Sequence, residues 1–477
     1  MKLLKNYLYN MSYQLLIIIL PLILAPYISR VIGPEGVGVY SYSYSIVTLF
    51  GLFANLGIAK YGNREIAKCG DDRKKRSQVF WEIIFIKLLC SVVVFLGYFG
   101  YLNYCVEQNQ TAFYFQIFNL LSFMVDISWF YWGTQNFKLT ALNSAIMKVL
   151  SIVAIFMCVK TKSDTYLYVG ILSFSAFLIQ FSLWFYLPRY IDFQFHLQHV
   201  IQKHWKHILL LFLPVFAKYI YNSMDRIMLG SIVNMEEVGY YENVQSITLT
   251  ITNVLTALGD VVMPQMTLLY AQQNHDMIEN YTGCAFHLIT FLAIGAMFGF
   301  IGVADTFIPM FYGDQFHNCI KLLQLIAPTI VFVGYSDLIR NLYLLPKYKD
   351  REYVVALIFG AIVNFGINAF LIPHLQSVGA IIGTLFAEFS VMFLQAWLIR
   401  KDVHFLSYMK KTLVYCMFGF VILISSSLIQ MLPINMILNC LLQIAIGGSL
   451  YALCVYWYLN TYEKAIWNTM KIVLHRG

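Results

Sequence analysis

The sequence predicts an all-α polytopic membrane protein with about fourteen transmembrane helices. Of its 477 residues, 60% are hydrophobic and only 12% are charged, and the mean hydropathy is +0.67. Soluble domains are about one quarter charged, so this chain lacks the polar residues that a soluble surface requires. Its hydrophobic residues also form runs of about 20, long enough to cross about 30 Å of hydrocarbon.

The hydrophobic runs place the spans along the chain. The first covers residues 11–32; a signal peptide is the competing interpretation, but Pro21 and Pro26 interrupt the run and the usual small-x-small cleavage site is missing. The second covers 37–59. We predict the remaining spans at 79–102, 112–134, 140–160, 165–187, 207–231, 238–260, 282–303, 319–342, 352–372, 376–399, 412–432 and 436–459, with a loop at 263–281 that contains no Lys or Arg.

The segment from Lys60 to Arg76 predicts the orientation in the membrane. It contains seven Lys or Arg residues and three Asp or Glu residues, and it follows the second span directly. Because cytoplasmic loops collect Lys and Arg, this segment indicates the cytoplasmic side, and fourteen spans then place both termini in the cytoplasm. The formal net charge of +8 thus reflects topology and contact with anionic lipids, and does not indicate nucleic acid.

Two parts of the chain resemble each other, which predicts a parallel repeat. Residues 20–46 resemble residues 213–247, and the aligned residues include Pro21 with Pro214, Arg30 with Arg226, and Gly38 with Gly239. Six predicted spans separate the two copies, so both copies cross in the same direction. We therefore predict a six-helix bundle at 1–190, a cytoplasmic linker at 191–206, a second six-helix bundle at 207–400, a central cleft, and two extra helices with a cytoplasmic tail at 401–477.

Four motifs carry a family resemblance over residues 1–400. In order they are PYISRVIGPEGVGVYSYSYS (26–45), NREIA in the basic segment, MDRIMLG followed by EEVGYYENVQ (224–245), and LIPHLQSVGAIIGTLFAE (371–388). Together they resemble the Wzx-type polysaccharide flippases of the multidrug/oligosaccharidyl-lipid/polysaccharide exporter superfamily. The resemblance implies transport of an undecaprenyl-diphosphate-linked oligosaccharide from the inner to the outer leaflet of a bacterial cell membrane, for capsule, O-antigen or a similar polymer.

Such a substrate requires a wet cationic cleft, and the charges within the predicted spans supply candidates. Intramembrane charges usually face a bundle interior and mark a pathway, and Arg and Lys both bind phosphate oxygens. Lys218 and Asp225 are seven residues apart and therefore share a helix face with two polar residues between them. The predicted diphosphate and glycan ligands are Arg30, Lys148, Lys218, Arg226, Tyr221 and Asn222; Asp126, Asp225, Glu388 and Lys87 are candidates for ion coupling or charge pairing.

Several charged residues have a competing structural interpretation. Asp126 can pair with Lys87 or Lys148 simply to hold helices together. Lys87 and Arg340 lie nearer the interface, where a long side chain can reach the headgroups. The prolines Pro21, Pro26 and Pro214 each remove a backbone donor and bend the first helix of a bundle, which would let the two bundles rock and expose the cleft to each side in turn.

Three other functions deserve comparison. A lipid II flippase shares the span number and a diphosphate cargo, and sequence separates it poorly. A MATE-type drug/ion antiporter handles organic cations and tends to use membrane carboxylates, yet span one contains no Asp or Glu. A membrane glycosyltransferase or polymerase needs acidic residues on an external loop, and the predicted external loops at 33–36 and 234–239 offer only Glu35, Glu236 and Glu237. The first alternative stays the closest.

Cofactors are not expected. The nine cysteines are scattered with no CxxC spacing, and no nucleotide-binding pattern occurs. Residues 188–207 could form an amphipathic helix on the inner surface; its pairs His196/His199 and His204/His207 have a spacing that could face a metal, although a solvated interfacial face is the favoured interpretation. Polysaccharide polymerase or assembly proteins are candidate partners, and the oligomeric state stays open.

Overall fold

The computed structural model describes residues 2–193, 200–400, 405–464 and 467, and the secondary structure of this part of the chain is helical throughout. The prediction of an all-α fold is confirmed. The chain divides into two compact units, Met1–Gly239 and Tyr240–Gly477. The metal-spacing pair His196/His199 lies outside the described residues.

The described residues of the first unit form eight α-helices. They are α1 (Lys2–Asn55), α2 (Ile58–Lys68), α3 (Arg73–Tyr104), α4 (Gln110–Val125), α5 (Ser128–Gly133), α6 (Phe137–Cys158), α7 (Thr165–Leu183) and α8 (Val200–Ile232). Short 3₁₀ turns at Lys162–Asp164 and Trp184–Arg189 flank α7. The sequence places α8 in the second bundle, whereas in this structure α8 packs against α1, α2 and α3 of the first unit. The predicted domain boundaries stay a prediction.

The second unit is built mainly from long helices. They are α9 (Met235–Ala271), whose first turn belongs to the first unit, α10 (His275–Tyr312), α11 (Asn318–Ile326), α12 (Thr329–Ile339), α13 (Asp350–Leu398), α14 (Phe405–Gln430) and α15 (Met436–Tyr462). A π-helical turn at Arg340–Leu344 extends α12. The two C-terminal helices pack on α10, where His287 Nδ1 lies 2.7 Å from the hydroxyl of Tyr415.

Two helices contain a single non-helical residue in their interior. In α1 this residue is Gly33, with φ 71° and ψ −178°, and in α13 it is Gln376, with φ 54° and ψ −130°. Glycine adopts a positive φ without a steric penalty, and proline is well placed to begin a new helical segment, so Gly33-Pro34 suits a one-residue turn. The non-helical residue of α1 is thus Gly33, while helical backbone continues through Pro26.

Twelve helices of the described chain are long and apolar enough to cross a membrane. Two of them, Leu22–Lys68 and Asp350–Leu398, have 47 and 49 residues. At 1.5 Å per residue each is about 70 Å long, more than twice the thickness of the hydrocarbon layer. If each of these two crosses twice, with its turn at Gly33 or Gln376, the number of crossings equals the predicted fourteen; that number stays a prediction.

Two sequence predictions about helix limits are wrong. The segment 263–281 was predicted to be a loop, but α9 and α10 extend through it and leave only residues 272–274 between them. The segment 188–207 does not begin as an amphipathic α-helix, since a 3₁₀ turn ends at Arg189 and residues 190–193 are not helical. Hydropathy identifies only the apolar part of a helix. These helices continue through polar residues, so their limits lie beyond the apolar run.

The two copies of the repeated motif make equivalent contacts with each other. A Cβ atom on Gly38 would lie 1.6 Å from the carbonyl oxygen of Met235, and a Cβ atom on Gly239 would lie 1.9 Å from the carbonyl oxygen of Pro34. Gly38 corresponds to Gly239 in the repeat, and Pro34 corresponds to Met235 at the same offset of 201 residues. The backbones therefore meet at a distance that only glycine permits at both positions.

We expect Gly38→Ala to lower the melting temperature and the yield of the purified protein, because an added methyl group must displace the backbone at Met235. Overpacking of this kind costs about 1–3 kcal/mol. Gly100→Ala in α3 is the matched control, since no atom lies within 4 Å of a Cβ at that position. Thermal unfolding monitored by fluorescence would measure both variants. Equal melting temperatures for the two would contradict the importance of this contact.

Candidate functional site

The four cations predicted to bind the substrate all lie in the first unit. Arg30 is on α1, Lys148 is on α6, and Lys218 and Arg226 are on α8. Helix α1 packs against both α6 and α8. Lys148, Lys218 and Arg226 therefore lie on helices that pack against α1, the helix that carries Arg30, although these residues are far apart in the sequence.

These cations differ in exposure and depth. Arg30 and Lys218 are exposed, whereas Lys148 and Arg226 are half-buried. Arg30 lies three residues before the turn at Gly33, and Arg226 lies six residues before the end of α8, so both are near the same end of their helices. Lys148 is close to the centre of the 22-residue helix α6.

The polar residues of α8 do not share one environment. Asn222 is exposed and Tyr221 is half-buried, while Asp225 is only 3% exposed. The guanidinium of Arg226 folds back along the helix, where Nη1 donates to the carbonyl oxygen of Asn222 at 3.3 Å. The exposed face of α8 therefore presents Lys218 and Asn222, and Asp225 packs inside the protein.

Lys87 has a structural role that its sequence position does not reveal. Its side chain is fully buried, and Nζ lies 2.5 Å from the carbonyl oxygen of Asp126, at the point where α4 ends. The helix C-terminus carries partial negative charge, which a buried ammonium group neutralises. Trp184 Nε1 donates to the neighbouring carbonyl of Val125 at 2.7 Å. The two side chains therefore bind carbonyl groups that the break between α4 and α5 leaves without helical donors.

Asp126 also serves this break between α4 and α5. Its Oδ1 atom accepts a hydrogen bond from the backbone N–H of Ser128 at 2.8 Å, at the start of α5. A carboxylate at a helix N-terminus satisfies a donor that has no helical acceptor. Asp126 is therefore engaged in holding the chain turn through Ser128, and Lys87 contacts its backbone carbonyl; its candidate role in ion coupling or charge pairing stays a prediction.

The second unit contains a separate charge cluster. Arg340 Nη1 lies 2.9 Å from Asp337 Oδ1, and Nη2 lies 3.3 Å from Asp260 Oδ1. Thr256 donates to the other oxygen of Asp337, which borders a cavity of about 50 Å³. Arg340 thus joins α9 to the end of α12 instead of extending alone to the interface. Glu388, the remaining predicted carboxylate, is half-buried on α13 of this unit.

The sequence analysis missed a buried carboxylate in α3. Glu82 is 3% exposed and accepts hydrogen bonds from Gln78 Nε2 at 2.8 Å, Lys203 Nζ at 2.7 Å and His204 Nε2 at 2.7 Å. The ring of His204 is therefore held by Glu82. His207, the other histidine of this HxxH pair, stacks on the ring of Tyr61. An acidic residue four positions after Gln78 inside an apolar span was the signal available in the sequence.

The basic segment Lys60–Arg76 performs two tasks. Arg73 pairs with Asp192 at 2.9 Å and donates to the carbonyl of Pro188 at 3.1 Å, and Arg76 donates to the carbonyl of Tyr190 at 2.9 Å. These two arginines hold the chain that leaves the 3₁₀ turn after α7. The other basic side chains of the segment are exposed on one surface: Lys60, Arg64, Lys68, Lys74 and Lys75.

Solved structures with the same fold are flippases and transporters. The inward closed conformation of the lipid II flippase MurJ has a TM-score of 0.73 and 14% identity, and the match covers 95% of this chain and 99% of that chain. An inward-facing MATE-family multidrug transporter of the MOP superfamily has a TM-score of 0.62 and 15% identity, covering 83% of this chain and 95% of that chain. At such identities these similarities establish the fold alone.

Sequence comparisons are more informative about the family. A protein of Escherichia coli (strain K12) named as an O-antigen transporter is 22% identical over 398 residues, which cover 80% of this chain and 93% of that protein. A family model described as "Polysaccharide biosynthesis protein" matches residues 3–269, more than half of the chain. These matches confirm the resemblance to the Wzx-type flippases that the motifs indicated. The chain belongs to the polysaccharide biosynthesis protein family.

Proposed function

We propose that this multi-pass membrane protein moves an undecaprenyl-diphosphate-linked oligosaccharide from the inner to the outer leaflet of a bacterial cell membrane. It is a transporter and not an enzyme. The family match and the related O-antigen transporter support a lipid-linked polysaccharide precursor as the substrate class. The transported unit would serve capsule or O-antigen biosynthesis.

The observation that carries this proposal is an exposed ammonium group in the middle of a membrane helix. Lys218 lies about 27 Å along α8 from Val200 and about 21 Å from Ile232, at 1.5 Å per residue. A charge at the centre of the bilayer costs about 2.5–3.5 kcal/mol on insertion scales, so such a residue faces water or an anion instead of acyl chains. An exposed Lys218 therefore supports a wet, cationic vestibule.

Each group of candidate ligands is suited to a different part of the substrate. Arg30 and Arg226 offer planar forks that bind phosphate oxygens in pairs, and Lys148 and Lys218 offer mobile point charges. Tyr221 and Asn222 are suited to hydrogen bonds with sugar hydroxyls. The lipid tail stays in the bilayer during transport. Alternating access of this site to the two sides of the membrane would move the polar headgroup across.

The energy source of the cycle is part of the proposal. No nucleotide-binding motif occurs in the sequence, so either downhill consumption of the glycan outside or an ion gradient drives transport. Asp126, Asp225 and Glu388 are the candidate carboxylates for ion coupling. Asp225 is the strongest candidate, since it is a buried carboxylate on the helix that carries Lys218 and Arg226.

The exposed basic surface of residues 60–75 supports contact with the anionic headgroups of the inner leaflet. Each Lys or Arg near such a surface contributes about 1 kcal/mol of attraction. With this surface on the cytoplasmic side and fourteen crossings, both termini would lie in the cytoplasm. A lipid II flippase is the alternative function, because it shares the fold and a diphosphate cargo. Polysaccharide polymerase or assembly proteins remain candidate partners.

We expect Arg30→Ala, Lys148→Ala, Lys218→Ala and Arg226→Ala each to lower polymer export about tenfold or more, because each removes a charged hydrogen bond to phosphate. Complementation of a strain that lacks the gene, with surface polysaccharide as the readout, would measure the effect. Lys162→Ala, in the exposed turn before α7, is the matched control and should export normally. Full export by all four variants would disprove the cationic site.

Deletion of the gene should abolish one surface polysaccharide and leave drug resistance unchanged. The polymer and a panel of cationic drugs would be measured in the same strain. Loss of peptidoglycan synthesis upon depletion would instead favour the lipid II substrate, and loss of drug resistance with an intact polymer would favour a drug antiporter.

Reporter fusions test the orientation. Green fluorescent protein fused after Gly477 should fluoresce and alkaline phosphatase at the same position should be inactive, because both termini are predicted to be cytoplasmic. A phosphatase fused after Lys162, between α6 and α7, should be active. The reverse pattern of activities would place the basic segment outside and exclude the proposed direction of transport.

A further inference from the structure

The Glu82 cluster connects three helices at one end of the first unit. Glu82 and Gln78 belong to α3, Lys203 and His204 belong to the first turns of α8, and Tyr61 belongs to α2. Both carboxylate oxygens of Glu82 are occupied: Oε1 accepts from Gln78, and Oε2 accepts from Lys203 and His204 at 2.7 Å each. A buried carboxylate needs such charged and polar donors to remain ionised.

Both ring nitrogens of the histidine in this cluster have a hydrogen-bond partner. Nε2 of His204 faces Glu82, and Nδ1 lies 2.6 Å from the hydroxyl of Tyr61. With the hydrogen on Nε2, the ring donates to the carboxylate and accepts from the tyrosine hydroxyl. His204 itself is 1% exposed. The ring therefore has one orientation that meets all its partners, and this orientation sets the rotation of α8 about its axis.

Helix α8 is buried most deeply at its two ends, and the part between them contacts α1 through half-buried side chains: Tyr219 donates to the carbonyl oxygen of Ser45, and the rings of Phe212 and Phe216 contact Phe53. Val200, His204 and Ile208 are buried at intervals of four residues, and Ser223 begins the next group of buried residues. None of the residues 209–222 is buried. This central part contains Pro214, which removes a backbone donor, and it also carries Lys218 and Asn222. The hydrogen bonds at the N-terminal end of α8 therefore set the orientation of this part together with its contacts to α1.

We propose that Glu82 is a positioning residue that fixes the rotation and depth of α8 and so directs Lys218 and Asn222 into the vestibule. This inference rests on the proposed function of those residues. A shift of α8 by one residue along its path would rotate its side chains by about 100° and move them by 1.5 Å. The ion pair and the hydrogen bonds of Glu82 oppose such a shift at the N-terminal end of α8.

The first test compares Glu82→Gln with Glu65→Gln in the purified full-length protein. Glu65 on α2 pairs with Lys68 at 2.8 Å, so it is a control carboxylate whose ion pair lies within α2. Transport of a fluorescent diphosphate-linked oligosaccharide into proteoliposomes is the assay. We expect Glu82→Gln to raise the half-saturating substrate concentration about tenfold and Glu65→Gln to leave it unchanged, with similar melting temperatures for both.

The second test measures the orientation of α8 without transport. In a background lacking the nine native cysteines, Asn222→Cys is labelled with a membrane-impermeant maleimide, and Lys162→Cys serves as the reference position. Glu82→Gln should change the labelling rate at position 222 at least threefold and leave position 162 unchanged. Equal labelling rates at position 222 with and without Glu82 would overturn the proposal.

The third test uses a conservative replacement of the histidine. Glutamine at position 204 retains a donor for Glu82 and an acceptor for Tyr61, whereas leucine retains neither. His204→Gln should therefore keep most of the wild-type substrate affinity, and His204→Leu should resemble Glu82→Gln. In the double variant Glu82→Gln/His204→Leu the effects should not add, because both remove the same interaction.

The outcomes separate this inference from the proposed function. A lower melting temperature for Glu82→Gln with unchanged substrate affinity and labelling would show a purely stabilising role and overturn the inference. Normal transport by Lys218→Ala and Arg226→Ala, together with altered labelling in Glu82→Gln, would disprove the cationic site and support the positioning of α8. Altered affinity and altered labelling together support both.

Discussion

The cost of placing charge in a medium of low dielectric constant is the constraint on which the rest of this structure depends. Lys87, Glu82 and Arg340 lie within apolar helices, and each is matched by specific groups: Lys87 by a helix-terminal carbonyl, Glu82 by a lysine, a histidine and an amide, and Arg340 by two carboxylates. Unmatched burial would cost several kcal/mol per charge. These residues therefore hold helices together, and the exposed Lys218 stands apart from them as a group that requires water or an anion.

The same constraint acts on the backbone. Where a membrane helix is interrupted, its freed N–H and C=O groups must find partners inside the protein. The interruption between α4 and α5 meets this requirement with Lys87, Trp184 and the carboxylate of Asp126. The neighbouring helix α2 follows another interruption, and a Cβ on its Gly62 would lie 2.4 Å from the ring of Trp129 in α5. The short helices α2 and α5 thus pack closely, and α2 also packs against α8.

Some features were predictable because their cause is local. An amphipathic or wholly apolar run identifies a helix, a basic segment indicates a side of the membrane, and Gly33-Pro34 indicates a tight turn. Helix limits were less predictable, as in residues 263–281, because polar residues such as Gln265 continue a helix without any hydropathy signal. The roles of individual charges were least predictable. Arg73 and Arg76 look like topological signals in the sequence, yet they bind the chain after α7.

The sequence by itself determined that the chain is helical and membrane-embedded, which motifs repeat, and which cations are candidates for a diphosphate, since composition and periodicity depend only on neighbouring residues. Only the tertiary structure decided which of those charges support the fold. The partners of Glu82 lie 121 and 122 residues away in the chain, and Lys87 meets a carbonyl 39 residues away. Pairing across such separations depends on how helices pack, and no local pattern in the sequence encodes that distance.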